Sequence, residues 1–360
     1  MLIDGSKLFD ILRHLYSMYA FSPKNGTAKL PFRYILELTY KCNLNCPFCY
    51  IEEKTNKNEL TTEEWFKIIN QIPPLSLISF VAGEVLLKED FIKIYEKASE
   101  KFRKVTVITN GIKLNEDIIN SFIKNHLFLL SVSLDGFEQN HDKIRNFNGL
   151  WDKVTTNIEL FNSKRGKKST PMLDIKTCIL KNNLDDLPLL YKEAIKMNAQ
   201  FFSLTFIRNH QMRQNSHLAE EFSPEFYEKE YPIEPYFDIE HFEEVYKELQ
   251  SLSKNSQTIL RYAPRFNAQN DFERIKRFWA AKNKPVKELY NPCGIPFTSI
   301  YITPKGDIYP CLSYKVANLK EVSLKEAINT VKFKCFRKNL YAAKIFNACQ
   351  MCCDAIPKDF

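Results

Sequence analysis

The feature that most limits what this chain can fold into is an alternation. Between residues 32 and 207, strand-like and helix-like runs follow one another six times. FRYILELT (32–39), LISFVA (77–82), KVTVITNG (104–111), LFLLSVSLDG (127–136), MLDIKTCIL (172–180) and AQFFSLTFI (199–207) are short, apolar and rich in β-branched and aromatic residues, as strands are. Amphipathic stretches at helical period lie between them. These are TTEEWFKIINQI (61–72), DFIKIYEKASEKF (90–102), EDIINSFIKNH (116–126), HDKIRNF with LWDKVTTNIELFN, and LDDLPLLYKEAIKMN (184–198). The first of them opens with Thr and an acidic first turn, a helix start signal. Such alternation demands parallel βα units joined by right-handed crossovers. The fold class is therefore α/β, either an open doubly wound sheet or a partial (β/α)6-type TIM barrel. In both, chemistry gathers at the carboxyl ends of the strands.

Beyond residue 207 the pattern changes. Residues 208–290 are polar and contain one helical pattern, IEHFEEVYKELQSLSK (239–254), so they read as a connecting helical region. FTSIYITPKGDIYPC (297–311) reads as two short strands around a turn, and SLKEAINTVKF and FRKNLYAAKIF follow as helices. The expected division is an N-terminal helical extension (1–31), a core (32–207), the connecting region (208–290) and a small α+β extension (291–360).

The charged fraction of 26% and the hydrophobic fraction of 44% suit a globular chain. The net charge of +8 comes from scattered lysines and marks no nucleic-acid patch. No run approaches the ~18 apolar residues of a membrane span, and the N-terminus is amphipathic rather than signal-like. The expected location is cytoplasmic, with no membrane or nucleic-acid partner. Ten cysteines then stand out, at 42, 46, 49, 178, 293, 311, 335, 349, 352 and 353. In the cytosol such close spacing argues for metal or redox chemistry rather than disulfides.

The first group, KCNLNCPFCY, places Cys42, Cys46 and Cys49 at C-x3-C-x2-C, directly after the first strand. Three thiolates can hold one corner of an iron–sulfur cube and leave one iron open; zinc would more naturally draw on CxxC pairs. This loop resembles that of the radical SAM superfamily, down to the aromatic Phe48 before the last cysteine. Further segments resemble the family in order. AGEVLL (82–87) resembles its GGEP stretch, with Gly83 and Glu84 retained and Ala82 and Val85 replacing the first Gly and the Pro. ITNG (108–111), with Asn110, follows the next strand, and SVSLDG with HDKIR supplies Ser133, Asp135 and Arg145. The resemblance implies a [4Fe–4S] cluster on the three cysteines. It implies S-adenosylmethionine (SAM) chelating the open iron, Gly83 and Glu84 at its amine, and Ser133 and Arg145 at its carboxylate. Reductive cleavage would then yield a 5′-deoxyadenosyl radical, the electron coming from a donor such as flavodoxin or ferredoxin.

Cys293, Cys311 in a G-x4-C context after Gly306, and Cys349 with Cys352 resemble the SPASM or twitch extension of that family. They imply one auxiliary [4Fe–4S] cluster, with Cys353 a competitor of Cys352 for the last position. A structural zinc is the alternative for the same thiolates. Cys178 reads as a core residue and Cys335 as an ordinary helix side chain. Sulfatase maturases of this kind carry Asp after the G-x4-C cysteine; here Leu312 stands there. Only a short segment precedes the first strand, which speaks against a leader-guided enzyme. The reading is thus hydrogen abstraction leading to oxidation or dehydrogenation of a small molecule. A peptide- or protein-modifying maturase is the alternative. A non-catalytic iron–sulfur or zinc-binding protein is the rival from another class.

Overall fold

The computed structural model describes residues 25–51, 53–207, 237–263, 286–311, 314–349 and 352–356, together with Ser223, Phe272 and Lys358. Most of the expected N-terminal extension, and Leu312, lie outside the described residues.

The six expected strands all form: β1 (Arg33–Glu37), β2 (Leu77–Val81), β3 (Lys104–Thr109), β4 (Leu129–Ser133), β5 (Met172–Ile179) and β6 (Phe201–Phe206). They lie side by side in chain order, each parallel to the next. The crossovers carry α1 (Thr62–Gln71), α2 (Phe91–Lys101), α3 (Glu116–Lys124), α4 (Gln139–Arg145), α5 (Leu150–Arg165) and α6 (Asp186–Lys196). Local chemistry starts these helices where the sequence asks. Thr61 and Glu64 form a reciprocal capping box at α1, with Glu64 N donating to Thr61 Oγ1 at 3.2 Å and Thr61 N to Glu64 Oε2 at 2.8 Å. Asn115 Oδ1 accepts from Ile118 N at 3.0 Å to cap α3. Such caps satisfy amides the first turn leaves without partners.

Four further strands widen the sheet. The connecting region expected to be helical contains α7 (Ile239–Ser253) and also β7 (Ile259–Ala263), parallel to β6. Its run, ILRYA, is short and carries an inward Arg261, so it lacks a clean strand pattern; pairing with it removes the exposed edge of β6. The C-terminal hairpin forms as β8 (Ser299–Ile302) and β9 (Asp307–Tyr309), with β10 (Ala317–Asn318) beyond. β8 runs parallel to β1. The small extension therefore continues the main sheet, whose order is β10-β9-β8-β1-β2-β3-β4-β5-β6-β7.

The two faces of this open barrel differ in chemistry. Towards the helices point Tyr34, Leu36, Phe80, Val107, Leu130, Val132, Leu173, Ile175 and Leu204, all fully buried or nearly so in one core. Each such side chain contributes roughly 1.5–3 kcal/mol. Strand alternation sends Glu37, Ser131, Ser133, Asp174, Lys176, Cys178, Ser203 and Arg261 to the inner face. Cys178, expected in the core, is thus partly exposed on the inner face. At the base, Arg337 of α8 (Val331–Ala343) is fully buried without a carboxylate partner in the described residues. It donates to the carbonyls of Pro296, Ile328 and Gly26 and lies 3.5 Å from the Phe333 ring centroid. That one guanidinium ties the 25–30 segment to the C-terminal region.

Candidate active site

The loop after β1 carries Cys42, Cys46 and Cys49, and its entry is fixed before any cysteine is reached. The buried Glu59 accepts from Thr39 Oγ1 at 2.6 Å and from Tyr40 N at 3.0 Å, while its other oxygen pairs with Lys88 at 3.2 Å. Glu84 N donates to Lys41 O at 2.9 Å. Gly83 makes this approach feasible: a Cβ there would stand 2.5 Å from Lys41 O and 2.6 Å from Thr39 O. Its φ is +45°, and Ala82 before it sits at +72°. That left-handed conformation costs a non-glycine residue about 1 kcal/mol or more, so Ala82 occupies a position that favours glycine. Val85 is fully buried in the core and opens the short turn Val85–Leu87.

The three cysteines are partly exposed and join no disulfide. Backbone amides of Leu44 and Ile51 point at the sulfurs of Cys42 and Cys49, each at 3.4 Å. Burial raises the Cys42 thiol, opposed by the Leu44 amide and Lys54. Burial also raises Cys46, opposed by Arg145. Cys49 disfavours Cys42 as a thiolate, and Cys49 and Cys42 together disfavour Cys46. A set of neighbouring sulfurs that repel one another as anions, with amides aimed at them, fits a cationic cluster. No group of three or more His, Cys, Asp or Glu among the described residues converges on one ion position; a cube spreads its thiolates over separate irons and needs no such convergence.

Glu84 is fully buried. Its Oε1 accepts from Thr109 Oγ1 at 2.6 Å and Leu86 N at 3.1 Å, and its Oε2 from Asn110 N at 2.7 Å. Burial raises its pKa; these donors pull it back. Asn110 Nδ2 donates to Asn43 Oδ1 at 2.8 Å, inside the cysteine loop. The ends of β2 and β3 are thereby locked to that loop. On the other side, Arg145 donates to Asp135 Oδ2 through Nε at 2.7 Å and Nη2 at 2.5 Å. Asp135 Oδ1 accepts from Cys178 N at 2.7 Å. Burial works against the Arg145 charge, but Asp135 and the sulfurs of Cys46 and Cys178 outweigh it, so the group stays cationic. Its guanidinium lies 5.9 Å from the Phe48 ring centroid. The fold thus gathers Phe48, Cys46, Asp135 and Arg145 in one group and Cys42, Glu84 and Asn110 in another. Ser133 ends β4 on the inner face with its hydroxyl unbonded in the described residues.

Two residues escape the motif reading. His141 is fully buried, its Nδ1 accepting from Asp135 N at 3.1 Å, and burial lowers its pKa to about 3. It therefore braces the Asp135 turn as a neutral ring. Glu37, at the end of β1, accepts from Tyr40 Oη at 2.9 Å and Tyr50 Oη at 3.3 Å. Burial pushes its pKa up to about 7, against the pull of those hydroxyls. The available signal was a carboxylate inside an otherwise apolar strand.

In the C-terminal region, burial drives the Cys293 thiol well above its ordinary pKa, helped by Cys349 and Cys311 and opposed by the Ile295 amide. Those three sulfurs therefore share one environment. Cys293 N donates to Lys344 O at 2.9 Å and Cys352 N to Cys349 O at 3.0 Å. Cys352 packs on the core with Cys293, Cys311 and Cys349. Cys353 instead contributes to the field at Arg33, which pairs with Asp354 at 2.7 Å. Cys335 is exposed on α8.

The sequence profile of the radical SAM superfamily matches residues 36–194, and that of the SPASM iron–sulfur cluster-binding domain matches residues 293–353. The chain carries a radical SAM domain followed by a SPASM domain. The first implies a [4Fe–4S] cluster and SAM, the second auxiliary iron–sulfur clusters, and the class is that of enzymes. This radical SAM chain is 27% identical over 161 residues to the Fe-coproporphyrin III synthase of Methanosarcina barkeri, covering 44% of this chain and 39% of that one. It is 28% identical over 178 residues to the sporulation killing factor maturation protein SkfB of Bacillus subtilis, covering 48% and 42%. The matches thus span less than half of those relatives' length. The fold is that of SuiB from Streptococcus suis bound to its precursor peptide SuiA, at 15% identity and a TM-score of 0.64, covering 94% of this chain and 73% of that one. No helix among the described residues is long and apolar enough to cross a membrane.

Proposed function

We propose that this radical SAM chain modifies a peptide. The observation that carries the proposal is its likeness to the SkfB maturation protein, supported by a fold shared with a protein seen holding its precursor peptide. That evidence favours the maturase alternative over small-molecule dehydrogenation. Cys42, Cys46 and Cys49 would hold the cluster that meets SAM, and Cys293, Cys311, Cys349 and Cys352 an auxiliary cluster. Cys352 is preferred to Cys353 because it packs against the core, as Cys293, Cys311 and Cys349 each do, whereas Cys353 acts on the charge of Arg33. The core over 32–207, the connection over 208–290 and the extension over 291–360 remain the proposed division, with β7 and β8 carrying the sheet across both boundaries.

When bound and reduced, the cluster and SAM supply a carbon radical for hydrogen abstraction. The chain's own residues do the rest. Glu59, Gly83 and Asn110 hold the cysteine loop against β2 and β3. Arg145, kept charged by Asp135, sets a positive potential behind Cys46, which favours that sulfur as a thiolate ligand. Glu37 keeps a buried carboxyl beneath the loop, half protonated near neutral pH.

The likeness to Fe-coproporphyrin III synthase supports a second reading, action on a tetrapyrrole. Anaerobically reconstituted protein with SAM and dithionite should change the mass of a short peptide encoded beside its gene, with 5′-deoxyadenosine formed alongside. Turnover of iron coproporphyrin, with every such peptide left at its starting mass, overturns the peptide reading.

A further inference from the structure

The inner face of β4, β5 and β6 holds polar groups that the site above does not use. Asp174 is saturated: it accepts from Ser131 Oγ at 2.8 Å and Ser203 Oγ at 2.6 Å and pairs with Arg261 at 3.1 Å. One level up, Asp135 is taken by Arg145 and the Cys178 amide. Lys176 lies between them on β5, opposite Ser133 of β4 and Ser203 of β6. It is partly buried, and its ammonium has no hydrogen bond or ion pair among the described residues. Both carboxylates nearest to it along the strands are already matched by arginines. Thr205 sits on β6 opposite Cys178, diagonal to Lys176, and its Oγ1 is buried with no partner. Neighbouring strands lie about 4.8 Å apart, so this cation and this hydroxyl can converge on one group. A cation and a buried hydroxyl left unpaired both carry a desolvation cost that an acceptor would offset.

We propose that Lys176 and Thr205 form a carboxylate-recognition site for the substrate. Within the peptide reading, on which this rests, the ligand is the side chain of Asp or Glu or a C-terminal carboxylate. The methionyl carboxylate of SAM has the same chemistry and is the other source. The strand order favours the substrate: Lys176 and Thr205 lie on β5 and β6, one and two strands beyond Ser133 of β4 on the side away from β1 and the cysteine loop.

The test uses reconstituted holoenzyme. Lys176 acylation by an N-hydroxysuccinimide ester is followed by peptide mass spectrometry. SAM alone should leave the rate within about twofold; glutarate added at about ten times its dissociation constant should then slow it about tenfold, and glutaramide should not. Protection by SAM alone overturns the substrate assignment. Absence of protection by both SAM and glutarate overturns the site. Equilibrium dialysis then compares pentapeptide libraries with a central Glu or Gln. Wild type should prefer Glu about tenfold, Lys176→Arg should keep the preference, and Lys176→Met should lose it. A preference that survives Lys176→Met overturns the proposal. If glutarate protects but neither library binds, the peptide reading fails while the carboxylate site stands.

Discussion

Cys42, Cys46 and Cys49 lie within eight residues of chain, and their loop is held by packing and hydrogen bonds from Glu59, Gly83 and Asn110. Cys293, Cys311, Cys349 and Cys352, the proposed auxiliary donors, come from segments far apart in the chain, and the last turn is anchored to the sheet by Arg33 and Asp354. The first arrangement is a short loop whose closure costs little and whose shape does not wait for metal. The second closes long stretches of chain, so bound metal contributes more to its folding. On the proposed ligand sets, one site is made ready by packing and the other would be completed by what it binds.

The largest effects separate the two by function. Cys42→Ala, Cys46→Ala or Cys49→Ala should reduce 5′-deoxyadenosine to background while the urea midpoint of the apo protein hardly moves. Cys311→Ala should lose about half the iron and leave SAM cleavage measurable. Full iron retention in Cys311→Ala, or a collapse of apo stability in Cys42→Ala, breaks the contrast.

Next comes the wall behind the first site. Asp135→Ala leaves Arg145 buried and unpaired, at a cost of about 3–5 kcal/mol in urea unfolding. A loss below about 1 kcal/mol means that Arg145 relaxes outward, and the claim of a preset wall fails.

Glu37 gives a smaller effect with a sign. Its folded pKa of about 7 stands above the ordinary 4.5, so the folded state binds the proton more tightly. The contribution is fully present below pH 4.5 and is lost as pH rises through about 7, by about 3 kcal/mol in all. Glu37→Gln should flatten that part of the stability profile; an unchanged slope refutes the assignment.

What the sequence made legible follows the same division. The C-x3-C-x2-C motif could be read because its three cysteines are local, and the six βα units because period and caps agree. The preference proposed for Cys352 over Cys353 could not, since it draws on Arg33, at the far end of the chain and near only in space. β7 was missed because its pairing with β6, rather than its own pattern, makes it a strand. Lys176 and Glu37 were passed over because a charge in an apolar run gains meaning only once alternation assigns it to the inner face. Ala82 and Val85, which depart from the GGEP stretch, prove separable: Val85 belongs to the core, while Ala82 carries the strain of the turn.

The smallest effect probes the second site most directly. Arg33 and Asp354 form one partly exposed ion pair, worth about 1 kcal/mol, so Asp354→Ala should barely change the holoprotein. In the metal-free protein the same pair is a main tether of the 352–356 turn to β1. There Asp354→Ala should open that turn to limited proteolysis, while the cysteine loop at 42–49 resists as in the wild type. If metal removal alone exposes both segments equally, the first loop is no more preset than the second. If neither becomes cleavable in apo Asp354→Ala, packing of Cys352 on the core holds the tail without help from metal or charge.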